Sequence, residues 1–382
     1  MKVALLLGRG IEGTGITRYT TEQYDWLKSN DYYVRVYATD ELDWGRSKSH
    51  VMEVDQKSNS ELPQLYTELD TFDVVFIHSI PSEKNTRECK DKFWEMIRVV
   101  SAYKIFVQHD NILKDIDKDV YMWKIVEECD EAYCHSLNNR FAVGCRGFRN
   151  IPVTQFNGIG MNFKNLKKYR KPFSEKIRRA SYFGRFAVCK KPLWLTHLHP
   201  YLSEAGIVTE MRGIEGSIGA YASILWLKDK IIREKDLVDT FDLTKTHIYG
   251  PYKREEGLEE LSKSLFGCNF YQLSDPTMYG THLEYASAEI IATGVVPVFS
   301  KHWGDNTIHS EWGVKFSDVE CAVFVEENKF EESAELMIAI ANDEELYEKY
   351  VTVATDFFNI FDERCLERVI FNTEAKINLD RG

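Results

Sequence analysis

The sequence contains little proline and little cysteine, and each shortage excludes a class of protein. The chain has nine prolines among 382 residues, and 44% of its residues are hydrophobic and 13% aromatic. A disordered protein has fewer large apolar side chains than this, so the class of disordered proteins is excluded. Its eight cysteines form no C-x-x-C pair and are too sparse for a disulfide scaffold or a cysteine zinc site. The composition therefore predicts a globular protein with reduced, mostly buried thiols.

Long apolar runs and internal repeats are also missing. No run approaches the ~20 apolar residues that a membrane-spanning helix needs. The opening run Val3–Leu7 is too short for the apolar region of a signal peptide, and Gly8 interrupts it. We therefore expect a cytoplasmic protein with no membrane partner.

Basic residues are outnumbered by acidic residues overall but are concentrated in one segment. The net charge of −12 argues against a general nucleic-acid binder. Between Arg140 and Arg179, however, eleven Lys or Arg residues accompany one acid, Glu175, so this segment carries +10 and the rest of the chain −22. Such a segment is either a solvated connector between domains or a surface for a polyanion.

The length and the strand–helix alternation predict the fold class. A chain of this size exceeds one ordinary core and favours two domains of roughly 150–200 residues each. Alternating strands and helices indicate α/β domains with parallel sheets covered by helices, and two such Rossmann-like domains would form a cleft lined by strand carboxyl ends. The alternation pauses in a basic stretch at 157–174. The predicted domains are 1–165, with a C-terminal helix at 358–382 packing back on it, and 166–357.

The pattern places twelve strands and several helices along the chain. The predicted strands are Lys2–Leu7, Tyr33–Thr39, Asp73–His78, Lys104–Gln108, Ala132–His135, Val153–Phe156, Ala180–Phe183, Val208–Met211, Thr246–Tyr249, Asn269–Leu273, Val295–Phe299 and Ala322–Val325. The predicted helices include Thr17–Lys28, Lys84–Ala102 and Val120–Glu128, and the end of the chain is predicted to be helical only.

A glycine-rich loop from Gly8 to Gly15 follows the first predicted strand and precedes the first helix. Glycines there let the backbone approach a phosphate, and the amino end of the helix offers N–H groups to it. Gly8, Gly10 and Gly13 also satisfy G-x-G-x-x-G, and Asp40 ends the second strand, where dinucleotide enzymes hold a ribose. The loop thus leaves open an NAD-dependent oxidoreductase, a phosphate-binding loop of another enzyme and a tight turn with no ligand.

Four charged residues in the second predicted domain suit a nucleotide sugar. Arg185 and Lys190 follow a predicted strand, and two cations there neutralise a diphosphate as it becomes a leaving group. Glu284 and Glu289 precede the apolar strand segment Gly294–Phe299, and such carboxylates accept hydrogen bonds from ribose or sugar hydroxyls. Taken one by one, all four also fit solvated surface positions.

His109 and Asp110 follow the predicted strand Lys104–Gln108, at its carboxyl end. A carboxylate beside an imidazole orients a hydroxyl nucleophile and takes or relays its proton. The pair is therefore our candidate for catalysis. His109 taken alone also fits a satisfied core histidine.

Together these features resemble the GT-B glycosyltransferase architecture and, within it, the DNA α-glucosyltransferase family of T-even phages. The blocks that carry the resemblance are scattered from about residue 2 to residue 310. The middle of the chain, including the basic segment, contains little that matches the family. They are Arg9 to Thr17, Glu22-Gln23, Asp25-Trp26, Gln108-His109-Asp110, Tyr271 to Ser274, Leu283-Glu284-Tyr285, Glu289, Gly294, Pro297-Val298-Phe299 and Lys301-x-x-Gly304-Asp305-Asn306.

The resemblance implies transfer of glucose from UDP-glucose to the hydroxymethyl oxygen of modified cytosine in DNA, with retention at the anomeric carbon. The implied donor-binding residues are Glu12, Gly13 and Gly15 of the loop that closes over the sugar and phosphates, Arg185 and Lys190 at the diphosphate, Glu289 at the ribose and Glu284 near the sugar hydroxyls. His109 and Asp110 would lie at the acceptor. The departing phosphate is an alternative base.

Two departures from the family pattern bear on the donor. The Thr-His between the two family glutamates is Ala286-Ser287 here, and a Thr281-His282 pair precedes Glu284 instead. This leaves UDP-glucose and a UDP-pentose, such as UDP-arabinose, both open as donor. Metal dependence is also open, since Asp115-Ile116-Asp117 matches D-x-D but lies in a charged stretch that favours solvation.

DNA as acceptor requires that the enzyme flip the base out of the duplex or act on exposed bases, and it requires cations along the phosphate path. Aromatic residues are interleaved with the cations of the basic segment and suit stacking on bases. The predicted DNA-binding residues are Arg146, Arg149, Lys164, Lys167, Lys168, Arg170 and Lys171. We expect a monomer that acts on double-stranded DNA containing hydroxymethylcytosine in the cytoplasm of a phage-infected host. The alternatives are a GT-B enzyme for a saccharide or small molecule, and the oxidoreductase.

Overall fold

The structure is a computed structural model that describes residues 1–8, 15–38, 54–58, 60–81, 86–109, 120–134, 153–155, 163–184, 190–213, 247–249, 254–271, 285–306, 313–358 and 364–380. These residues form two compact units, each built on one parallel sheet. Most of the first unit's described residues lie between 1 and 155, and the second unit's lie between 163 and 358.

The first unit contains a seven-stranded parallel sheet in the order β3-β2-β1-β4-β5-β6-β7. Its central strands are buried along nearly their whole length, because helices cover both faces. The strands are β1 Lys2–Leu7, β2 Tyr33–Ala38, β3 Val54–Gln56, β4 Val74–Ser79, β5 Tyr103–Gln108, β6 Glu131–Cys134 and β7 Val153–Gln155. The helices are α1 Gly15–Ser29, α2 Leu62–Leu69, α3 Arg87–Val99 and α4 Val120–Glu127.

The last helix of the chain also belongs to the first unit. This helix, Arg364–Asp380, contacts β6 through side chains. The Lys376 ammonium donates to Glu131 Oε1 over 2.5 Å, and Glu131 is fully buried. The hydroxyl groups of Tyr133 and Thr373 lie 3.1 Å apart. A buried carboxylate needs such a partner, so this contact ties the end of the chain to the first sheet.

The second unit contains a six-stranded parallel sheet in the order β10-β9-β8-β11-β12-β13. The strands are β8 Ile177–Phe183, β9 Val208–Arg212, β10 His247–Tyr249, β11 Ser264–Asn269, β12 Val296–Ser300 and β13 Val323–Val325. In chain order the helices are α5 Phe163–Lys167, α6 Trp194–Glu204, α7 Arg254–Ser262, α8 Tyr285–Ala292, α9 Lys301–Asn306, α10 Phe330–Asn342 and α11 Glu344–Phe358, so that Arg364–Asp380 is α12.

One predicted strand is wrong in position. The prediction put it at Asn269–Leu273, whereas β11 ends at Asn269. Small residues make β11 look weakly apolar in sequence, but a Cβ at Gly267 would lie 2.7 Å from the Ile290 side chain. The glycine therefore lets helix α8 pack closely on the strand. The short outer strand β3 was not predicted, because three residues are too few to show a period.

The other predicted strands agree with the structure to within a few residues. Residues 163–165, which the prediction gave to the first domain, belong to helix α5 and to the second unit. In the described part of the chain, no helix combines the length and the apolar character that crossing a membrane requires.

Candidate active site

Two histidines meet at the carboxyl end of the first sheet. Strands β4 and β5 are parallel neighbours, so their carboxyl ends lie side by side. His78 is the second-to-last residue of β4, and His109 directly follows β5. His78 Nδ1 lies 3.1 Å from His109 Nε2, which is hydrogen-bonding distance.

Tyr19 of helix α1 packs against both imidazoles. Its ring centroid lies 5.0 Å from that of His109, edge to face, and 5.6 Å from that of His78. Phe76 stacks on His78 with ring centroids 6.4 Å apart. Tyr19 and His78 are buried, while His109 is half-buried. We call Tyr19, His78 and His109 the histidine cluster; it is enclosed by rings and open to solvent only at His109.

The glycine loop is only partly described. Glu12 and Gly13 lie outside the described residues, as does Asp110 beside His109, and Gly15 is the first residue of α1. Gly8 is described, and a Cβ there would lie 2.5 Å from the Ile80 carbonyl carbon. The first glycine of the motif is thus required by close packing of two backbones.

The second sheet carries charged groups at its carboxyl end. Glu289, on helix α8, accepts a hydrogen bond from Arg254 Nε at 2.8 Å. The Glu289 side chain is 17% exposed and the Arg254 side chain 41%, so the carboxylate is the more enclosed partner. Sequence reasoning missed Arg254, because no motif surrounds the first residue of an acidic helix.

Lys190 lies beyond the carboxyl end of β8, half-buried against an aromatic ring. Its ammonium is 4.2 Å from the ring centroid of Tyr271, which follows β11. This contact directs a flexible cation to the end of the sheet, where ligands of parallel sheets bind. We call Lys190–Tyr271 and Arg254–Glu289 the charged pairs. Arg185 and Glu284 lie outside the described residues.

A buried hydrogen bond connects α8 to the end of β11. Asn269 Nδ2 donates to Ser287 Oγ over 2.9 Å, and both residues are buried. Ser287 precedes Glu289 by two positions, so this bond helps to set where the first turns of α8 lie. Asn269, like Arg254, was not a predicted site residue.

Two cations hold the other end of α8. Arg170 Nε donates to Ala292 O over 3.0 Å, and Arg170 Nη2 donates to Thr355 Oγ1 over 3.0 Å. The Lys176 ammonium donates to Gly294 O at 2.8 Å and to Ser262 O at 2.7 Å. Burial lowers the pKa of Arg170 and brings that of Lys176 down to about 7. Cations suit the carboxyl end of a helix, where carbonyl groups lack partners.

A model of the DNA alpha-glucosyltransferase family matches residues 14–345, and this range includes the histidine cluster and both charged pairs. The chain belongs to the DNA alpha-glucosyltransferase family. It is 26% identical over 394 residues to the DNA alpha-glucosyltransferase of Enterobacteria phage T4, covering 94% of this chain and 95% of that protein.

Solved structures of DNA alpha-glucosyltransferase type are similar in fold. An alpha-glucosyltransferase in complex with UDP and a 13-mer DNA has a TM-score of 0.81 at 23% identity, covering 98% of this chain and 99% of that chain. A complex with UDP-glucose and DNA containing an abasic site has a TM-score of 0.79 at 22% identity, with the same coverage. The Anabaena protein HepE, in complex with UDP and glucose, has a TM-score of 0.69 at 11% identity, covering 98% and 100%.

Family membership confirms the predicted resemblance and the GT-B fold class. It also confirms that the chain is a glycosyltransferase of the DNA-modifying type. The G-x-G-x-x-G interpretation as a dinucleotide enzyme is set aside. Among the described residues, no three His, Cys, Asp or Glu side chains lie close enough together to hold a metal ion.

The described cations of the basic segment form two groups. Some hydrogen-bond within the second unit, and others are exposed to solvent. Arg178 donates to Ala341 O at 3.0 Å, and Arg179 pairs with the buried carboxylate of Glu210 at 2.9 Å. With Arg170 and Lys176, these side chains hold the second unit together. We therefore leave Arg170, which sequence analysis assigned to DNA, out of the proposed interface.

Three of the predicted DNA-binding residues are on the surface. Lys167 and Lys168 are exposed, and Lys171 lies 3.9 Å from Glu175 in a weak ion pair. Arg146, Arg149 and the side chain of Lys164 lie outside the described residues. The charge run thus overstated the number of cations available to a polyanion.

Proposed function

We propose that this chain is a retaining glycosyltransferase that moves a sugar from a UDP-sugar to 5-hydroxymethylcytosine in DNA. The observation that carries the proposal is the match to the DNA alpha-glucosyltransferase family over residues 14–345. Related proteins are described in complex with UDP, UDP-glucose and 13-mer DNA, which supports a UDP-sugar donor and a DNA acceptor. The alternative acceptors, a saccharide or a small molecule, become outcomes of the test.

The charged pairs suit the donor. A diphosphate leaving group gains charge as the sugar departs, and Lys190 together with Arg185 would stabilise it. The Glu289 carboxylate would accept two hydrogen bonds from the ribose hydroxyls, with Arg254 holding it in place. Glu284 would contact the sugar, and the loop with Glu12, Gly13 and Gly15 would close over sugar and phosphates.

The histidine cluster suits the acceptor. The hydroxymethyl oxygen bonds to the anomeric carbon as the bond from that carbon to the β-phosphate oxygen breaks, and the acceptor proton must leave. Asp110 would receive it, directly or through His109, or the departing phosphate would take it. His109 is half-buried beside Tyr19, so an entering base would find a ring-lined surface.

DNA binding would use cations that the second unit does not need for itself. Lys167 and Lys168 are exposed and consecutive, and a phosphate backbone would release counterions on contacting them. Lys171, Lys164, Arg146 and Arg149 would extend this surface. Reaching a base in a duplex would require flipping it out of the stack.

The donor sugar is glucose in the first form of the proposal, with a pentose such as arabinose as the second. The reason for keeping both is Ser287, where the resemblance leads us to expect a larger side chain. Ser287 is buried and accepts a hydrogen bond from Asn269. A change of side-chain size beside a sugar pocket alters which sugar fits.

The test combines the purified protein with duplex DNA containing hydroxymethylcytosine and either UDP-glucose or UDP-arabinose. The DNA is then digested and its nucleosides weighed, with unmodified DNA as control. A hexose or pentose added to hydroxymethylcytosine alone supports the proposal and identifies the sugar. UDP-sugar binding without transfer to DNA would contradict the acceptor and turn the search to saccharides.

A further inference from the structure

We propose that His78 is a positioning residue for the reaction, because it sets the orientation and the tautomer of His109. The catalytic consequence rests on the proposed function, whereas the effect on His109 does not. Nothing in the sequence singled out His78, which occupies an apolar strand 31 residues before His109.

The contact between the two rings has room for one proton only. His78 Nδ1 and His109 Nε2 are 3.1 Å apart, so one nitrogen donates and the other accepts. The bond makes the two nitrogens of His109 unequal, since Nε2 is engaged with His78. The charged form of His109 would require His78 Nδ1 to be the acceptor.

The backbone around His78 is irregular where the side chain is needed. Strands β1 and β4 pair Leu6 with Ile77 but Leu7 with Ser79, so His78 is an extra residue in the register. An extra residue of this kind marks a local irregularity of a strand, and such irregularities are over-represented next to active sites. It lies on the side of β4 that pairs with β1, whose end leads into the glycine loop.

Packing fixes the His78 ring. His78 is 2% exposed, with Phe76 stacked on it and Tyr19 tilted against it. A ring held this firmly offers its partner one fixed hydrogen-bonding direction. This is how a third group orients a base in catalytic triads, here with an imidazole in place of the carboxylate.

A plain core role for His78 makes a different prediction. Loss of a packing residue lowers stability and all activities together, without changing which nitrogen of His109 carries the proton. The matched variants are His78→Leu, which removes the hydrogen bond, and His78→Asn, which retains a polar atom near the position of Nδ1. Phe76→Leu is the packing control, since Phe76 touches His78 without hydrogen bonding to it.

The measurement is the ¹⁵N spectrum of the His109 ring in the full-length protein at pH 8.5, well above the ordinary His pKa of about 6.5. With ten histidines in the chain, His109→Gln assigns the signal by its disappearance. We expect one dominant tautomer in the native protein, in His78→Asn and in Phe76→Leu, and a mixture or the opposite tautomer in His78→Leu. An unchanged tautomer in His78→Leu would overturn the inference.

Sugar transfer supplies the second measurement. His78→Leu should lower kcat roughly tenfold or more with the donor KM nearly unchanged, and His78→Asn should recover most of the loss. If His78→Leu unfolds, His78→Asn carries the test, and a kcat as low as that of His109→Ala would contradict it. Absence of transfer in the native protein would refute the proposed function, while the ¹⁵N result would still decide the role of His78.

Discussion

The two sheets of this glycosyltransferase end in different chemistry. The first presents two imidazoles and a tyrosine, held by ring contacts and a hydrogen bond between two nitrogens. The second presents a lysine over a tyrosine ring and an arginine–glutamate pair, with both pairs partly exposed. One fold class, used twice in one chain, thus carries an enclosed aromatic site and an open charged site.

The difference teaches how each site is kept in place. The histidine cluster lies at a register shift between β1 and β4 and is held by the rings packed around it. The helix that bears Glu289 is instead fixed at both ends, by Asn269 at one and by Arg170 and Lys176 at the other. Ring contacts thus fix the imidazoles, whereas hydrogen bonds at both ends fix the helix that bears Glu289.

The largest expected effect is a loss of kcat when the proposed catalytic residue His109 is replaced. His109→Ala should lower kcat for sugar transfer by about 10²–10⁴-fold, because a residue that handles the acceptor proton acts in the transition state. The donor KM should change by less than about threefold. Steady-state kinetics with varied UDP-sugar measure both. A donor KM that rises with an unchanged kcat would assign His109 to binding and remove the contrast between the sites.

The matching substitution in the Arg254–Glu289 pair should change the donor KM instead of kcat. Glu289→Gln should raise the donor KM about 10- to 100-fold, as expected for loss of a charged hydrogen bond to a ribose, with little change in kcat. Arg254→Met is the control, since it removes the cation and leaves the carboxylate. Equal effects of the two variants would make the pair a structural ion pair rather than a ribose site.

Arg170 sharpens the distinction between a DNA contact and a structural cation. Arg170→Met should lower the free energy of unfolding by roughly 1–3 kcal/mol, because it leaves carbonyls at the end of α8 without a donor. Lys171→Met should change it by less than about 0.5 kcal/mol. Urea unfolding measures both. A reversed order, together with a smaller salt dependence of DNA binding in Arg170→Met, would return Arg170 to the interface.

The smallest effect is a pH dependence. Burial lowers the pKa of Lys176 to about 7, below its value in the unfolded chain, so between those two values the unfolded state binds more protons. The free energy of unfolding should therefore rise from pH 7 to pH 9, by about 1–2 kcal/mol from this group, and the rise should be absent in Lys176→Met. Urea midpoints at both pH values test it. An equal rise in the variant would assign the pH dependence to other groups.

The sequence by itself determined the two α/β units, nearly all strand positions and the place of His109 directly after a strand. These follow from local patterns, since a parallel strand reads as a short apolar run and its carboxyl end as the first polar residues after it. The misplaced strand at Asn269–Leu273 shows the limit. There, Gly267 belongs to a strand because of a helix that packs on it, and no local pattern records that contact.

Only the tertiary structure decided which side chains meet. His78 and His109 are 31 residues apart, Arg254 and Glu289 are 35 apart, and Arg170 and Ala292 are 122 apart. Strand order and crossovers create these pairs, and they decide whether a cation stays exposed to solvent or hydrogen-bonds to the end of a helix. Residue type and charge are local properties, whereas burial and partner are not, which is why a run of basic residues divided into two groups only when the chain was folded.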